Sequence, residues 1–151
     1  MLTTILLLAV AGTVIAVIIG SFWYSPGTPT GKLHMQYTGF DKLTPEEQKA
    51  KINEMKPKMP KIYGAQMVLS FLISIETVFI IYLSMNNGVP FVTSLAFVVA
   101  NWLCFMVPII GSNILWGTCD PKIAWKKFFS DSLNNLTVLV LVAIMTSFFI
   151  H

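Results

Sequence analysis

The chain has 151 residues, 55% of them hydrophobic and only 11% charged, with a mean hydropathy of +0.72. A soluble domain carries about 25% charged residues, so this chain is too poor in charge to clothe a water-facing surface, and far too apolar to be disordered. The net charge is +3, and all ten basic residues are lysine.

Residues 1 to 31 hold no charged side chain, and Leu2 to Tyr24 is almost wholly apolar. About 20 such residues cover the hydrocarbon core of a bilayer, so a first span is predicted over 2–24. A cleaved signal peptide would need a positive start and a small-residue cleavage site. This run ends instead in the bulky Ser21-Phe22-Trp23-Tyr24-Ser25-Pro26 and reads as a retained span. Gly12, Ala16 and Gly20 recur every fourth residue and form a helix-packing stripe on one face.

A polar connection follows over 25–61. It opens with an irregular turn region from Pro26 to Gly31. A short surface or interfacial helix is then predicted from Thr44 to Met55 or Lys56. Thr44 is its cap, Pro45 suits the first helical position, and Glu47 completes a capping box. The second span is predicted over 62–85, stopped by Asn86-Asn87-Gly88-Val89-Pro90. The third is predicted over 91–116, kinked at Pro108. A polar connection over 117–131 leads to a fourth span over 132–150. Four segments without a two-residue alternation cannot close a barrel, and in lipid only helices remain. The predicted fold is an all-α membrane protein: one integral membrane domain over 1–151, with four transmembrane helices in a bundle.

Seven lysines lie in the first connection and three, Lys122, Lys126 and Lys127, in the third; the Asn86–Pro90 turn has none. Both lysine-bearing connections fall on one side of the membrane. The positive-inside rule makes that side cytoplasmic and puts both termini outside. Trp23, Tyr24, Tyr63, Trp116 and Trp125 cluster near the same ends of the spans and read as interface anchors.

Glu76 is the one ionisable residue deep in a span, and such groups are functional candidates by default. Asn101 falls at a similar depth. Glu76 is expected to face the protein interior and to bond Asn101, Ser74 or Thr77, serving either as a proton or cation relay or as a structural hydrogen-bonding group. Asn113, Asp131, Asn134 and Asn135 form a second polar set near the cytoplasmic end, as a vestibule or as a tie between helix ends. Gln66, Ser70 and Ser74 make a polar stripe of interhelical glue on the second span. Cys104 reads as a packing residue and Cys119 as a free thiol. His34 stands alone in a loop.

Trp23-Tyr24-Ser25-Pro26, Gly31-Lys32, Met35 and Gly39-Phe40 resemble the opening of the bacterial and fungal membrane proteins of domain-of-unknown-function family 1761. Leu115-Trp116-Gly117 and Lys127-Phe128-Phe129 are similar to its connection between spans three and four. His34 stands where that family has an aromatic residue. The resemblance implies a four-span integral membrane protein and supplies no reaction or catalytic residue.

No catalytic motif, metal-ligand spacing or phosphate-binding glycine loop occurs in the sequence, and no cofactor is predicted. The first expectation is a non-enzymatic helix-packing or oligomeric component of a membrane, taken as a bacterial plasma membrane. Its expected partners are the lipid bilayer and a second copy of the chain, with no nucleic acid. A small transporter or channel component using Glu76 is the alternative, and a lipid-binding or lipid-modifying protein a further one.

Overall fold

The computed structural model describes residues 2–117 and 119–150; the predicted turn residue Thr118, with Met1 and His151, lies outside them. The described residues are helical throughout their ordered elements, with no strand. The helices are α1 (Leu2–Trp23), α2 (Pro29–Thr38), α3 (Pro45–Met55), α4 (Met59–Asn86), α5 (Phe91–Asn101), α6 (Val107–Leu115) and α7 (Pro121–Ser147). Four helical stretches, Leu2–Trp23, Met59–Asn86, Phe91–Ile114 and Pro121–Ser147, are long and apolar enough to cross a membrane. The protein is an all-α membrane protein.

Helix α1 packs on α4 and α7, α4 packs on α5 and α7, and α6 packs on α7. One cluster of the core joins Ile5 and Leu8 of α1 to Val78 of α4 and to Val138 and Val142 of α7. A second joins Ile81, Val98, Leu139 and Ala143. Gly12 explains the close approach of α1. A Cβ built there would stand 3.0 Å from the Cβ of Ser74 and 3.1 Å from Val142. Ala16 packs against the first cluster, whereas Gly20 faces open space. The small-residue stripe is therefore used within the chain at Gly12 and Ala16 and left free at Gly20.

Two boundaries differ from the sequence reading. The helix that carries the span predicted over 132–150 begins at Pro121, so α7 takes up residues 121–131 of the connection expected over 117–131. Asp120 starts the helix, its Oδ1 accepting from the amide of Lys122 at 2.8 Å with Pro121 in the first turn. Hydropathy alone ended the segment at its charges, yet Lys127 and Asp131 stand one turn apart and pair along the helix. The Pro26–Gly31 region is likewise helical from Pro29, because Thr28 caps α2 by accepting from the amide of Gly31 at 3.0 Å.

The capping box at α3 forms as read. Thr44 Oγ1 accepts from the amide of Glu47 at 3.3 Å, and Glu47 Oε2 accepts from the amide of Thr44 at 2.8 Å. The third span carries a π-helical segment, Trp102–Met106, which Val107 alone separates from Pro108. Proline has no amide proton for the carbonyl four residues earlier, at Cys104. The wider turn, in which Val107 N–H reaches the carbonyl of Trp102, absorbs the mismatch.

Candidate functional site

The rotation of α4 decides where Glu76 goes. Ser70, Ser74, Thr77, Val78 and Ile81 are its buried residues, at helical spacing. Small side chains on this face let α1 approach, with Gly12 over Ser74. Glu76 lies off this face and is exposed, contrary to the expectation that it faces the interior. Gln66, at the end of the same stripe, is exposed as well.

Across from Glu76, the Asn101 side-chain amide donates to its Oε1 at 2.9 Å. Asn101 ends α5, just before the π-helical segment. The pair opens into a groove of about 410 Å³ lined by Glu76, Asn101, Phe105, Met106 and Ile109. Cys104, expected to pack inside, is exposed on the same span. That span buries only 11% of its membrane-length window, against 28% for each of the other three. It is the least covered of the four spans.

A second polar assembly forms where α1 and α2 meet the start of α7. Lys127 is only 4% exposed. Its ammonium pairs with both carboxylate oxygens of Asp131 and lies 4.8 Å from the ring centre of Tyr24 and 5.9 Å from that of Tyr37. Tyr24 donates its hydroxyl proton to Asp131 Oδ1 at 2.8 Å, and Trp23 Nε1 donates to Ser130 Oγ at 3.1 Å. Burial pushes the Tyr24 phenol far above its ordinary range, and the charge and hydrogen bond of Asp131 push it further, with Asn134 opposing. His34 approaches the Tyr24 ring at 5.4 Å between centres. Its imidazole is held below the usual histidine range, by desolvation first and by the Lys127 charge second, with Asp131 acting against both.

Gly31 lets α2 fold back onto this place. A Cβ there would stand 1.9 Å from the carbonyl oxygen of Ser25, so only glycine fits. Thr30 donates to the carbonyl of Trp23 and fastens the same turn. The predicted set of four polar residues is thus divided. Asp131 is central; Asn135 spends its amide on the carbonyl of Asp131 at 2.9 Å; Asn134 Oδ1 is buried without a partner; Asn113 is exposed on α6 and makes none of these bonds. Tyr63, Trp116 and Trp125 are exposed at 62%, 87% and 50%, open to an interface, whereas Trp23 and Tyr24 are half-buried in the assembly. Lys127 was missed as a site residue. Its four-residue spacing from Asp131 was the available signal.

A family model described as "Protein of unknown function (DUF1761)" matches residues 7–147. The chain belongs to this family. No curated protein and no solved structure matches it. In this DUF1761 protein the segments that carry the resemblance converge: Trp23 and Tyr24 bond α7, Gly31 closes on Ser25, and Lys127 pairs beneath the Tyr24 ring. With Lys127 neutralised by Asp131 and the Tyr24 phenol held protonated, this assembly suits a clamp between chain segments. The Glu76–Asn101 pair also ties two helices, α4 and α5, but it does so on an exposed surface beside a groove, and it is the candidate site of this DUF1761 chain.

Proposed function

We propose that the protein is a non-enzymatic integral membrane component that works as a homo-oligomer, its copies meeting over Glu76 and Asn101. The observation that carries this reading is a carboxyl–carboxamide pair on an outward surface at membrane depth. Lipid tails offer such groups no hydrogen bond, so in a bilayer they gain by meeting other polar groups. A second copy brings the same two side chains: a carboxamide with one N–H and its oxygen to spare, and a carboxyl with a second oxygen. A two-fold arrangement would satisfy both pairs reciprocally. The sparse cover over the third span supports the same face. The lysine distribution supports both termini outside and the α2–α3 connection in the cytoplasm.

The native cysteines provide the test. Cys119→Ser leaves Cys104, exposed beside the groove, as the single thiol. Membrane-permeant bis-maleimides should then join two chains in intact membranes. Absence of a cross-link at every reagent length would oppose the reading.

A second reading uses the same carboxyl as a proton or cation relay, and the groove beside it supports this one. Reconstituted vesicles separate the two: Glu76→Gln abolishes flux if Glu76 is a relay, and leaves the oligomer intact if it is a hydrogen-bonding seam.

A further inference from the structure

Helix α3 makes no extensive packing contact with another helix among the described residues, and every one of its side chains except Gln48 is exposed. Gln48 holds it by donating toward the carbonyls of Phe40 at 3.2 Å and Leu43 at 3.1 Å. The helix nevertheless carries two large apolar side chains, Ile52 and Met55, exposed at 41% and 38%. At about 100° per residue, these two fall within about 60° of each other around the axis, with Gln48 one turn earlier between them and its amide spent on the Phe40 and Leu43 carbonyls. Lys51 borders that stripe on one side, and Lys56 and Lys49 border it on the other. Glu46, Glu47 and Glu54 all fall on the opposite half. Glu47 is occupied in the capping box, and Glu54 pairs with Lys58 at 3.5 Å.

Lysines flanking a narrow apolar stripe, with carboxylates turned away, match a helix lying at a membrane face. The apolar side chains enter the headgroup boundary, while the lysine stems run alongside and place their ammonium groups among phosphates. The chain also holds α3 at the right level. Three residues separate Met55 from Met59, where α4 begins, and the first turns of α4 expose Ile62 and Tyr63.

We propose that α3 is a membrane-surface arm that docks on anionic lipid headgroups through Lys49, Lys51 and Lys56. Each lysine near such a surface contributes about 1 kcal/mol, about fivefold in association. Three together give up to about a hundredfold.

The test is amide hydrogen exchange of residues 45–56 in the full-length protein held in lipid nanodiscs. Discs containing phosphatidylglycerol should slow exchange relative to pure phosphatidylcholine, by up to about a hundredfold. Replacing the three lysines by glutamine should remove the difference. Replacing them by arginine, or changing Glu46 and Glu54 to Gln, should retain it. Equal protection in both lipids would overturn the proposal, as would retained protection in the glutamine variant or its loss in the arginine variant. Full protection in phosphatidylcholine discs on adding inorganic phosphate would also overturn it, assigning the site to free phosphate.

Discussion

Lys127 and Asp131 stand one turn apart on α7, and the ammonium is matched inside the fold rather than in water. Removing one member of a buried pair leaves the other uncompensated and costs about 3–5 kcal/mol, whereas replacing both by apolar residues is often close to neutral. Lys127→Met and Asp131→Leu alone should therefore each lower the melting temperature in detergent more than the double variant does. A double variant that loses the sum of both effects would contradict the clamp.

Gly31 makes a sharper prediction. Its Cβ position is occupied by the Ser25 carbonyl, so Gly31→Ala must displace backbone and should cost at least about 1–3 kcal/mol. Gly27→Ala, where nothing lies within 4 Å, is the control and should fall within about 0.5 kcal/mol of wild type. Thermal melts of the two variants side by side make the comparison.

The imidazole of His34 titrates below the ordinary histidine value in the folded protein. The unfolded chain, with a pKa of about 6.5, therefore takes the proton first. Stability from neutral His34 is present above about 6.5 and is lost as pH falls from there through the folded value. The arriving charge would face Lys127 as well as Asp131. Proteolysis of α2, or its amide exchange after division by the base-catalysed intrinsic rate, should accelerate as pH drops from about 7.5 to about 5.5, and His34→Gln should flatten that step.

The small-residue stripe divides into a packed and an open end. Gly12→Val runs into Ser74 and Val142 and should destabilise by about 1–3 kcal/mol, while Gly20→Val, at a position whose Cβ meets nothing within 4 Å, should cost much less. If both variants melt like wild type, α1 does not dock through Gly12.

The spans, the cap of α3 and the approximate depth match of Glu76 with Asn101 were legible because each is local or follows from counting along a helix. Three features were not. The start of α7 was hidden because hydropathy treats Lys127 and Asp131 as water-seeking, although they neutralise each other. The burial of Lys127 depends on Tyr24, 103 positions away, and only the folded chain brings them together. The outward face of Glu76 followed from the rotation of α4, in which the Ser70–Ser74 stripe and Glu76 could not both turn inward. The Ser70–Ser74 side won because it admits Gly12, a contact no periodicity within α4 records.

The most direct measurement is subunit association in proteoliposomes, followed by energy transfer between labelled copies as protein is diluted in lipid. Wild type should associate reversibly. Glu76→Ala with Asn101→Ala should weaken association by about 1–2 kcal/mol, roughly five- to thirtyfold, and Glu76→Gln should largely preserve it. Monomers at every lipid ratio, or a double variant that associates as tightly as wild type, would contradict the Glu76–Asn101 seam.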